Sequence, residues 1–351
     1  MFDKSTWIKL PRNVVVGHGV IDQVGAAVDD LYLSGRPLLV TSPTPERLAG
    51  DRLRAQFDVE PHTVTVETAS FGSVEAVAET AGAEGVDFII ALGGGKAIDI
   101  AKMAAERVDC GFVSVPTAAS HDGIVSGRSS IPEGDTRHSV AADPPLAVVA
   151  DTALLAQAPW EFTTAGCADI ISNYTAVKDW QLAHRLKNVE YSEYAGALSE
   201  MTAEMLVDSA DSIKPGLEES AWVVVKALVS SGVAMSIAGS SRPASGAEHL
   251  FSHQLDRLVP NTALHGHQVG VGAIMTEYLH SGEKGQWRNI RDALDRIDAP
   301  TTARGLGVAD ETVIEALTTA HTIRDRYTIL GDGMSEDAAR EVARVTGVVE
   351  S

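Results

Sequence analysis

Short apolar runs alternate with amphipathic stretches along the first 150 residues. The runs are rich in Val, Ile and Leu, which is typical of strands buried on both faces of a sheet. They are NVVVG (13–17), PLLVT (37–41), HTVTVE (62–67), DFIIAL (87–92), FVSVP (112–116) and LAVVA (146–150). Stretches with helical spacing, such as IDQVGAAVDDLYL and SVEAVAETAGAEG, lie between several of them. The alternation predicts an α/β fold with a Rossmann-like, doubly wound parallel sheet.

The pattern changes after residue 159. Long amphipathic stretches, such as TAEMLVDSADSIK and SAWVVVKALVSSGVAMSIAG, replace the short β-branched runs. We therefore predict two domains, an α/β domain over residues 1–155 and an all-helical domain over residues 156–351. A cleft between two such domains is a common place for a ligand.

Composition narrows the class of protein. The chain has no run of about 18 apolar residues and no signal-peptide pattern at its start, and Cys110 and Cys167 lie far apart. These features predict a cytoplasmic protein without membrane insertion or a disulfide framework. The net charge of −20 argues against nucleic acid and anionic membranes as partners. Only nine of the 28 basic residues are lysines, which suits a cytoplasm of high salt, although an ordinary acidic protein has a similar charge balance.

A glycine-rich turn follows the fourth predicted strand. DFIIAL runs into GGGKAIDIAK (93–102), where glycines allow close backbone approach and the following helix directs free N–H groups at a ligand. The stretch matches neither the P-loop nor GxGxxG, and a simple tight turn also contains glycines. A second turn, VPTAASHDG (115–123), follows the next strand and offers small residues and hydroxyls. Two such turns at strand carboxyl ends favour a dinucleotide site.

Four of the eleven histidines lie within nineteen positions. His249 and His253 are four residues apart and share a helix face, and His265 begins the next apolar helix. Zinc accepts imidazole nitrogen and carboxylate oxygen, and a catalytic zinc keeps three protein ligands with one open position. Asp169 is the candidate third ligand, because an unpaired carboxylate in its apolar, small-residue helical stretch is costly. The spacing alone leaves open which histidines would bind the ion.

The order of these motifs carries a resemblance. GGGKAID, PTAASHDG, GCADIISN, SRPASGAEHLFSH and LHGHQVGVG follow one another along the chain, and SRPASGAEHLFSH is the most specific of them. From KLPRNVVVG to DRYTILGD, the chain resembles the archaeal sn-glycerol-1-phosphate dehydrogenases, which are related to glycerol dehydrogenase, iron-dependent alcohol dehydrogenases and 3-dehydroquinate synthase. The resemblance implies zinc-assisted reduction of dihydroxyacetone phosphate by NAD(P)H to sn-glycerol 1-phosphate for phospholipid biosynthesis. We expect a homo-oligomer with no partner beyond its small-molecule ligands.

Carried over by motif position, the resemblance implies one zinc ion per subunit, bound by Asp169, His249 and His265. It implies catalytic roles for His253 and Asp169, and substrate contacts from Asp122, Asp169 and His253. Dinucleotide contacts are implied for Gly95, Lys96, Ala97, Ile98, Asp99, Thr117, Ala118, Ala119, Ser120 and Ser126. The substrate phosphate needs a cationic cradle, for which Arg242 in SSRPASG is the candidate. The chain departs from the family at His267, where the family usually has an acidic residue.

Three other functions remain as alternatives. A glycerol dehydrogenase acts on an unphosphorylated substrate, which the segment around Arg242 disfavours. A lyase similar to dehydroquinate synthase needs several basic residues, and this chain is poor in lysine. A nucleotide- or metal-sensing protein keeps the glycine turns without needing an open metal position. No acid follows PLLVT closely to bind a ribose 2′-hydroxyl, so we expect both NADH and NADPH to be used.

Overall fold

The first half of the chain forms the predicted parallel sheet in a computed structural model that describes residue 5 and residues 7–133, 136–260 and 262–350. The strands are β1 (Asn13–Gly17), β2 (Pro37–Thr41), β3 (His62–Thr65), β4 (Phe88–Gly93), β5 (Gly111–Pro116), β6 (Arg128–Glu133), β7 (Thr136–Ala141) and β8 (Ala147–Asp151). Six of them form one sheet in the order β1-β8-β5-β4-β2-β3, with every neighbouring pair parallel. All six predicted strands are confirmed. The antiparallel hairpin β6–β7 is an addition that the apolar pattern did not predict.

Helices cover both faces of this sheet. They are α1 (Val24–Asp30), α2 (Pro43–Pro45), α3 (Asp51–Arg54), α4 (Phe71–Glu84), α5 (Gly95–Val108) and α6 (Thr152–Leu155). Leu39 and Ile90 pack on the face that also buries residues of α1 and α3. Their neighbours Leu38 and Ile89 pack on the opposite face with α4 and α5. Alternate side chains are thus buried on opposite faces, which explains why the strands are continuous apolar runs and confirms the doubly wound sheet.

The second half is helical, as predicted. Its helices are α7 (Trp160–Lys187), α8 (Glu193–Ser209), α9 (Glu218–Ala238), α10 (Ala247–Leu258), α11 (His265–Ser281), α12 (Trp287–Arg296), α13 (Asp310–Thr319) and α14 (Glu336–Val345). The long helix α7 packs against α8, α9, α10, α11 and α12. The buried core of this half is continuous with the sheet face that carries α4 and α5. The placement of a domain boundary between residues 155 and 156 stays a prediction.

One helix, α9, is long and apolar enough within the described residues to cross a membrane. Half of its most apolar window is buried inside the protein, and the helix packs against α7 and α8. Its residues Val224, Val225 and Leu228 belong to the main core. The apolar character of α9 therefore serves core packing.

Two glycines bring the sheet edge and α11 against the same part of α7. A Cβ at Gly166 would lie 2.0 Å from the carbonyl oxygen of Ala119, in the turn after β5. A Cβ at Gly266, in the first turn of α11, would lie 1.9 Å from the carbonyl oxygen of Ala165. Only residues without a side chain permit these approaches. Asp169 lies one helical turn beyond Gly166, so the contacts bring it between the glycine-rich edge of the sheet and α11.

Candidate active site

A carboxylate and two imidazoles converge where α7, α10 and α11 meet. Asp169 is on α7, His249 is in the first turn of α10 and His265 is the first residue of α11. The Oδ1 atom of Asp169 lies 3.8 Å from Nε2 of His249 and 3.9 Å from Nε2 of His265. One ligand atom from each of the three residues lies within 4.8 Å of the other two. Three donors of this kind at this separation are the set that a catalytic zinc ion requires.

Hydrogen bonds direct the lone pairs of the two imidazoles toward one another. Nδ1 of His249 lies 2.9 Å from Oε1 of Glu248, a carboxylate that accepts a proton, so Nε2 keeps its lone pair. Nδ1 of His265 lies 3.0 Å from Oγ of Ser252, whose own proton goes to Oε1 of Gln268 at 2.6 Å. Ser252 therefore accepts from His265, and Nε2 of His265 also keeps its lone pair. Outer hydrogen bonds of this type orient histidines that bind metals.

The carboxylate of Asp169 has one oxygen left for a cation. Its Oδ2 accepts a hydrogen bond from the backbone N–H of Asp122 at 3.0 Å, while Oδ1 is buried without a hydrogen-bond partner among the described residues. Burial raises the pKa of Asp169 well above its usual value, and the nearby acids Asp122 and Glu248 raise it further. Burial also lowers the pKa of His249 to about 3, with Arg324 and Arg326 as further causes. A bound cation would relieve the cost of a charged Asp169, so these residues fit a metal ion.

The other two histidines of the group lie outside the triad. His253 follows His249 by one turn of α10, and its ring centroid lies 6.5 Å from that of His249 and 5.8 Å from that of His265. Its side chain lines the same cavity as the triad. His267 is buried, and its Nε2 lies 2.8 Å from Oγ1 of Thr164. At the position of His267 the family usually has an acidic residue, whereas here the histidine forms a hydrogen bond with Thr164 of α7.

Asp122 lies beside the triad, in the short 3-10 turn Asp122–Ile124 that follows β5. Its Oδ2 accepts a hydrogen bond from Oγ of Ser231 at 2.7 Å, and its side chain lines the cavity. Burial raises the pKa of Asp122 above its ordinary value. Asp122, Asp169 and His253, for which the resemblance implies substrate contacts, therefore share one cavity.

The glycine-rich turn leads directly into the helix α5. Gly94 precedes α5 in extended conformation, and the N–H groups of the first turn are available to an anion. A Cβ at Gly95 would lie 2.0 Å from Nε2 of His121. The backbone N–H of Gly123 donates to Nδ1 of His121 at 3.0 Å, so the proton of a neutral His121 is on Nε2, beside Gly95. His121 therefore directs a donor toward the start of α5. Its motif, VPTAASHDG, did not predict this placement.

Two adjoining cavities lie at this site. An inner cavity of about 250 Å³ contains the metal triad, Asp122 and His253. A larger cleft of about 1370 Å³ extends along the carboxyl ends of the strands and over residues 300–307 of the helical half. The two cavities share Gly95, Lys96, His121 and His265. This arrangement places a site for an extended ligand next to a site for a small one.

The predicted dinucleotide residues divide into two groups. Gly95, Lys96, Thr117, Ala118 and Ser120 line the large cleft, and Asp99 lines the inner cavity. The remaining four are buried and line neither cavity, namely Ala97, Ile98, Ala119 and Ser126.

The candidate phosphate residue lies outside both cavities. Arg242 begins a short 3-10 turn, Arg242–Ala244, and its side chain does not line either cavity. Arg128 on β6 and Arg324 in the loop before α14 line the inner cavity instead. The sequence contained a signal for the second of these, since Arg324 and Arg326 stand just before and within the DRYTILGD motif.

Comparison with known proteins identifies the family. Residues 15–159 match the family described as iron-containing alcohol dehydrogenase. The chain is 75% identical over 350 residues to glycerol-1-phosphate dehydrogenase (NAD(P)+) of Halorubrum lacusprofundi, with all of both chains covered. It is 54% identical to the enzyme of the same name from Methanococcoides burtonii, covering 99% of this chain and 98% of the relative.

Solved structures share the fold at low sequence identity. A probable glycerol dehydrogenase from Sinorhizobium meliloti superposes with a TM-score of 0.80 at 21% identity, covering 97% of this chain and 98% of that one. Glycerol dehydrogenase from Schizosaccharomyces pombe superposes with a TM-score of 0.79 at 18% identity, covering 99% and 94%. The fold is therefore that of these two-domain dehydrogenases, and the full-length identity to the first relatives is decisive for the family. The chain belongs to the glycerol-1-phosphate dehydrogenase (NAD(P)+) family.

Proposed function

We propose that this protein catalyses the reduction of dihydroxyacetone phosphate to sn-glycerol 1-phosphate with NADH or NADPH and one zinc ion per subunit. The product would enter the synthesis of archaeal membrane phospholipids. The observation that carries the proposal is the triad of Asp169, His249 and His265 in a small cavity that opens into the large cleft beside the glycine turn. The names of the full-length relatives support the same reaction.

The residues of the inner cavity divide the chemistry between them. Zinc held by Asp169, His249 and His265 would supply a Lewis acid for the ketone oxygen and for the negative charge that develops on it. His253 donates the proton that the product oxygen requires, since it lines the cavity without belonging to the triad. Asp122 and Asp169 orient the substrate hydroxyl through carboxylate acceptors. Holding the ketone in a small cavity beside the nicotinamide makes the reaction between them effectively unimolecular, which lowers its entropic cost.

The large cleft is the proposed dinucleotide site. The N–H groups at the start of α5 and Nε2 of His121 are donors for the pyrophosphate. The proposed contacts from the cleft wall are Gly95, Lys96, Thr117, Ala118 and Ser120, whereas Ala97, Ile98, Asp99, Ala119 and Ser126 do not line this cleft. Ser42 and Thr44, which follow β2 at the cleft, bring no carboxylate to oppose a 2′-phosphate. Use of both NADH and NADPH follows from that absence of an acid at the end of β2.

Substrate preference tests the function directly. The protein with zinc, in multimolar KCl, is expected to oxidise NADH or NADPH with dihydroxyacetone phosphate far faster than with dihydroxyacetone. The product is expected to be inert to a dehydrogenase specific for sn-glycerol 3-phosphate. Comparable rates with the unphosphorylated ketone would favour a glycerol dehydrogenase. No cofactor oxidation with either ketone would favour the lyase or the sensor.

Removal of the metal tests the zinc. A chelator is expected to abolish turnover, and added zinc is expected to restore it in proportion to the zinc bound. Full turnover by protein that elemental analysis shows to be metal-free would refute the metal assignment.

We further propose a cytoplasmic homo-oligomer. Tyr194, Met201 and Met205 are exposed along α8, and Trp222 is partly exposed near the start of α9. Such exposed apolar side chains on neighbouring helices are suited to contact between subunits. Sedimentation equilibrium in high salt gives the mass, and a monomer at micromolar concentration would contradict this proposal.

A further inference from the structure

Several arginines surround one side of the inner cavity. Arg128 reaches it from the hairpin β6–β7, and Arg324 reaches it from the loop before α14. Arg326 lies two residues beyond Arg324, and the charge of Arg324 lowers the pKa of Arg326. Arg324 and Arg326 also act on His249, which places them within electrostatic range of the metal triad. The cavity thus has a cationic side next to its metal-binding side.

Serines hold the two arginines that line the cavity. Nη2 of Arg324 donates to Oγ of Ser245 at 2.7 Å. Nη2 of Arg128 donates to the carbonyl oxygen of Ser139 at 3.1 Å and to its Oγ at 3.2 Å. The Nε atoms of both arginines are buried without a hydrogen-bond partner among the described residues. Each guanidinium is therefore oriented by a neutral partner and keeps donors for a ligand.

Within the part of the chain that the structure describes, no carboxylate forms an ion pair with Arg128, Arg324 or Arg326. Glu248 is the acid that acts on Arg324 and Arg326, and its Oε1 is already bonded to His249 and to the backbone of Gly246. Burial, with repulsion from neighbouring arginines, lowers the pKa of Arg324 to about 10 and that of Arg326 to about 9. Buried cations without an anion are costly, so this cluster is built to receive one.

We propose that Arg324 and Arg128 bind the phosphate group of the substrate and thereby select phosphorylated over unphosphorylated ketones. Arg326 is a positioning residue, because it donates to the carbonyl oxygen of Ser245 and to Oγ of Ser241 and so holds the segment that orients Arg324. Guanidinium groups present paired donors that match phosphate oxygens, and a dianion neutralises two cations at once. The inference rests on the proposed function, and it moves the phosphate site from Arg242 to residues that line the cavity.

The first test compares variants with two ketones. In Arg324→Gln and Arg128→Gln, kcat/KM for dihydroxyacetone phosphate is expected to fall about 10- to 100-fold, which is the loss of one charge-assisted hydrogen-bonding group. The loss is expected mainly in KM, and kcat/KM for dihydroxyacetone is expected to stay within about twofold of the wild type. Arg324→Lys keeps the charge and is expected to lose less than Arg324→Gln. Arg344→Gln is the matched control, since Arg344 is exposed on α14 and pairs with Glu341.

The second test measures anion binding without turnover. Inorganic phosphate, titrated calorimetrically in constant KCl, is expected to bind the wild type and to bind Arg324→Gln at least about tenfold more weakly. Unchanged phosphate affinity and unchanged ketone preference in both glutamine variants would overturn the phosphate site. Loss of both in Arg242→Gln alone would return the site to Arg242. If the wild type binds phosphate through these arginines but does not reduce dihydroxyacetone phosphate, the proposed function is wrong. The assignment of the anion site to these arginines would still hold. If Arg324→Gln fails to fold, Arg324→Lys and Arg128→Gln still decide the question.

Discussion

Glu248 offers a sharp test of the proposed metal site because it acts without contacting the ion. It is fully buried, and its Oε1 accepts from Nδ1 of His249 at 2.9 Å and from the backbone N–H of Gly246 at 2.5 Å. Its Oε2 accepts from Oγ1 of Thr175 at 3.0 Å. The substitution Glu248→Gln keeps the shape of the side chain but replaces one accepting oxygen with a donating amide.

With the amide nitrogen in the place of Oε1, Nδ1 of His249 and the backbone N–H of Gly246 lose their acceptor, and each unsatisfied buried donor costs about 1–3 kcal/mol. With the nitrogen in the place of Oε2, the Thr175 hydroxyl still donates to the carbonyl oxygen of Ser172 at 2.9 Å, and His249 faces a neutral oxygen instead of a carboxylate. If His249 turns away from the amide, Nε2 of His249 no longer directs its lone pair at the ion. Loss of such an outer partner typically lowers metal affinity by about 10- to 100-fold, or about 1.4–2.7 kcal/mol. We expect a zinc dissociation constant raised within that range, with a matching loss of activity at limiting zinc.

Competition against a chromophoric zinc chelator measures this affinity, and elemental analysis gives the stoichiometry. Glu277→Gln is the matched control, because Glu277 is equally buried but pairs with Lys178 at 2.7 Å and lies away from the triad on α11. It is expected to lower the thermal midpoint without changing zinc affinity. Unchanged zinc affinity in Glu248→Gln, or an equal loss in Glu277→Gln, would refute the reasoning.

Four further predictions concern other parts of the chain. Gly95→Ala is expected to weaken NADH binding, measured by fluorescence titration, at least about tenfold, because its Cβ would lie 2.0 Å from Nε2 of His121. Gly82→Ala is the control, because a Cβ at Gly82 has no atom within 4 Å. His253→Ala is expected to keep its zinc and lose most of kcat; loss of zinc as well would contradict its assignment as a proton donor. The thermal midpoint is expected to rise by several degrees from low to multimolar KCl, because salt screens repulsion within a chain of net charge −20, and a flat response would indicate an ordinary acidic protein. Burial raises the pKa of the Cys110 thiol to about 11, so its reaction with a disulfide reagent, which needs the thiolate, is expected to accelerate about tenfold per pH unit from pH 7 to 10. A rate that levels off near pH 9 would indicate an ordinary thiol and contradict the raised pKa.

Most of the secondary structure was predictable from local patterns in the sequence. The six strands of the sheet were predictable because strands buried on both faces are continuous apolar runs, and the helical second half was predictable from its amphipathic period. The hairpin β6–β7 was not, because RSSIPE and TRHSVA are mixed, largely polar segments without a clear apolar alternation. These two segments become strands because they pair with each other, next to the helix α5.

The candidate metal residues were also visible locally. An acid such as Asp169 is out of place in an apolar helix unless something compensates its burial, and His249 and His253 share a helix face by spacing alone. Which of these histidines joins Asp169 depends on where α7 and α11 cross α10. The fold groups His249 and His265 with Asp169 and leaves His253 beside them. That choice depends on packing between helices, which spacing within one helix does not determine.

The cationic side of the cavity is assembled only by the tertiary structure, although Arg324 stands next to a motif that the sequence shows. Arg128 belongs to a hairpin of the first half and Arg324 to a loop near the C-terminus, and neither segment has a pattern that links it to the other. Likewise, the role of His121 depends on the Gly123 N–H that occupies one ring nitrogen and on the Gly95 backbone that faces the other. The periodicity of a chain records which side chains avoid water, because burial acts on each residue separately. The partner of a charge is a property of two segments brought together, and it exists only after the chain has folded.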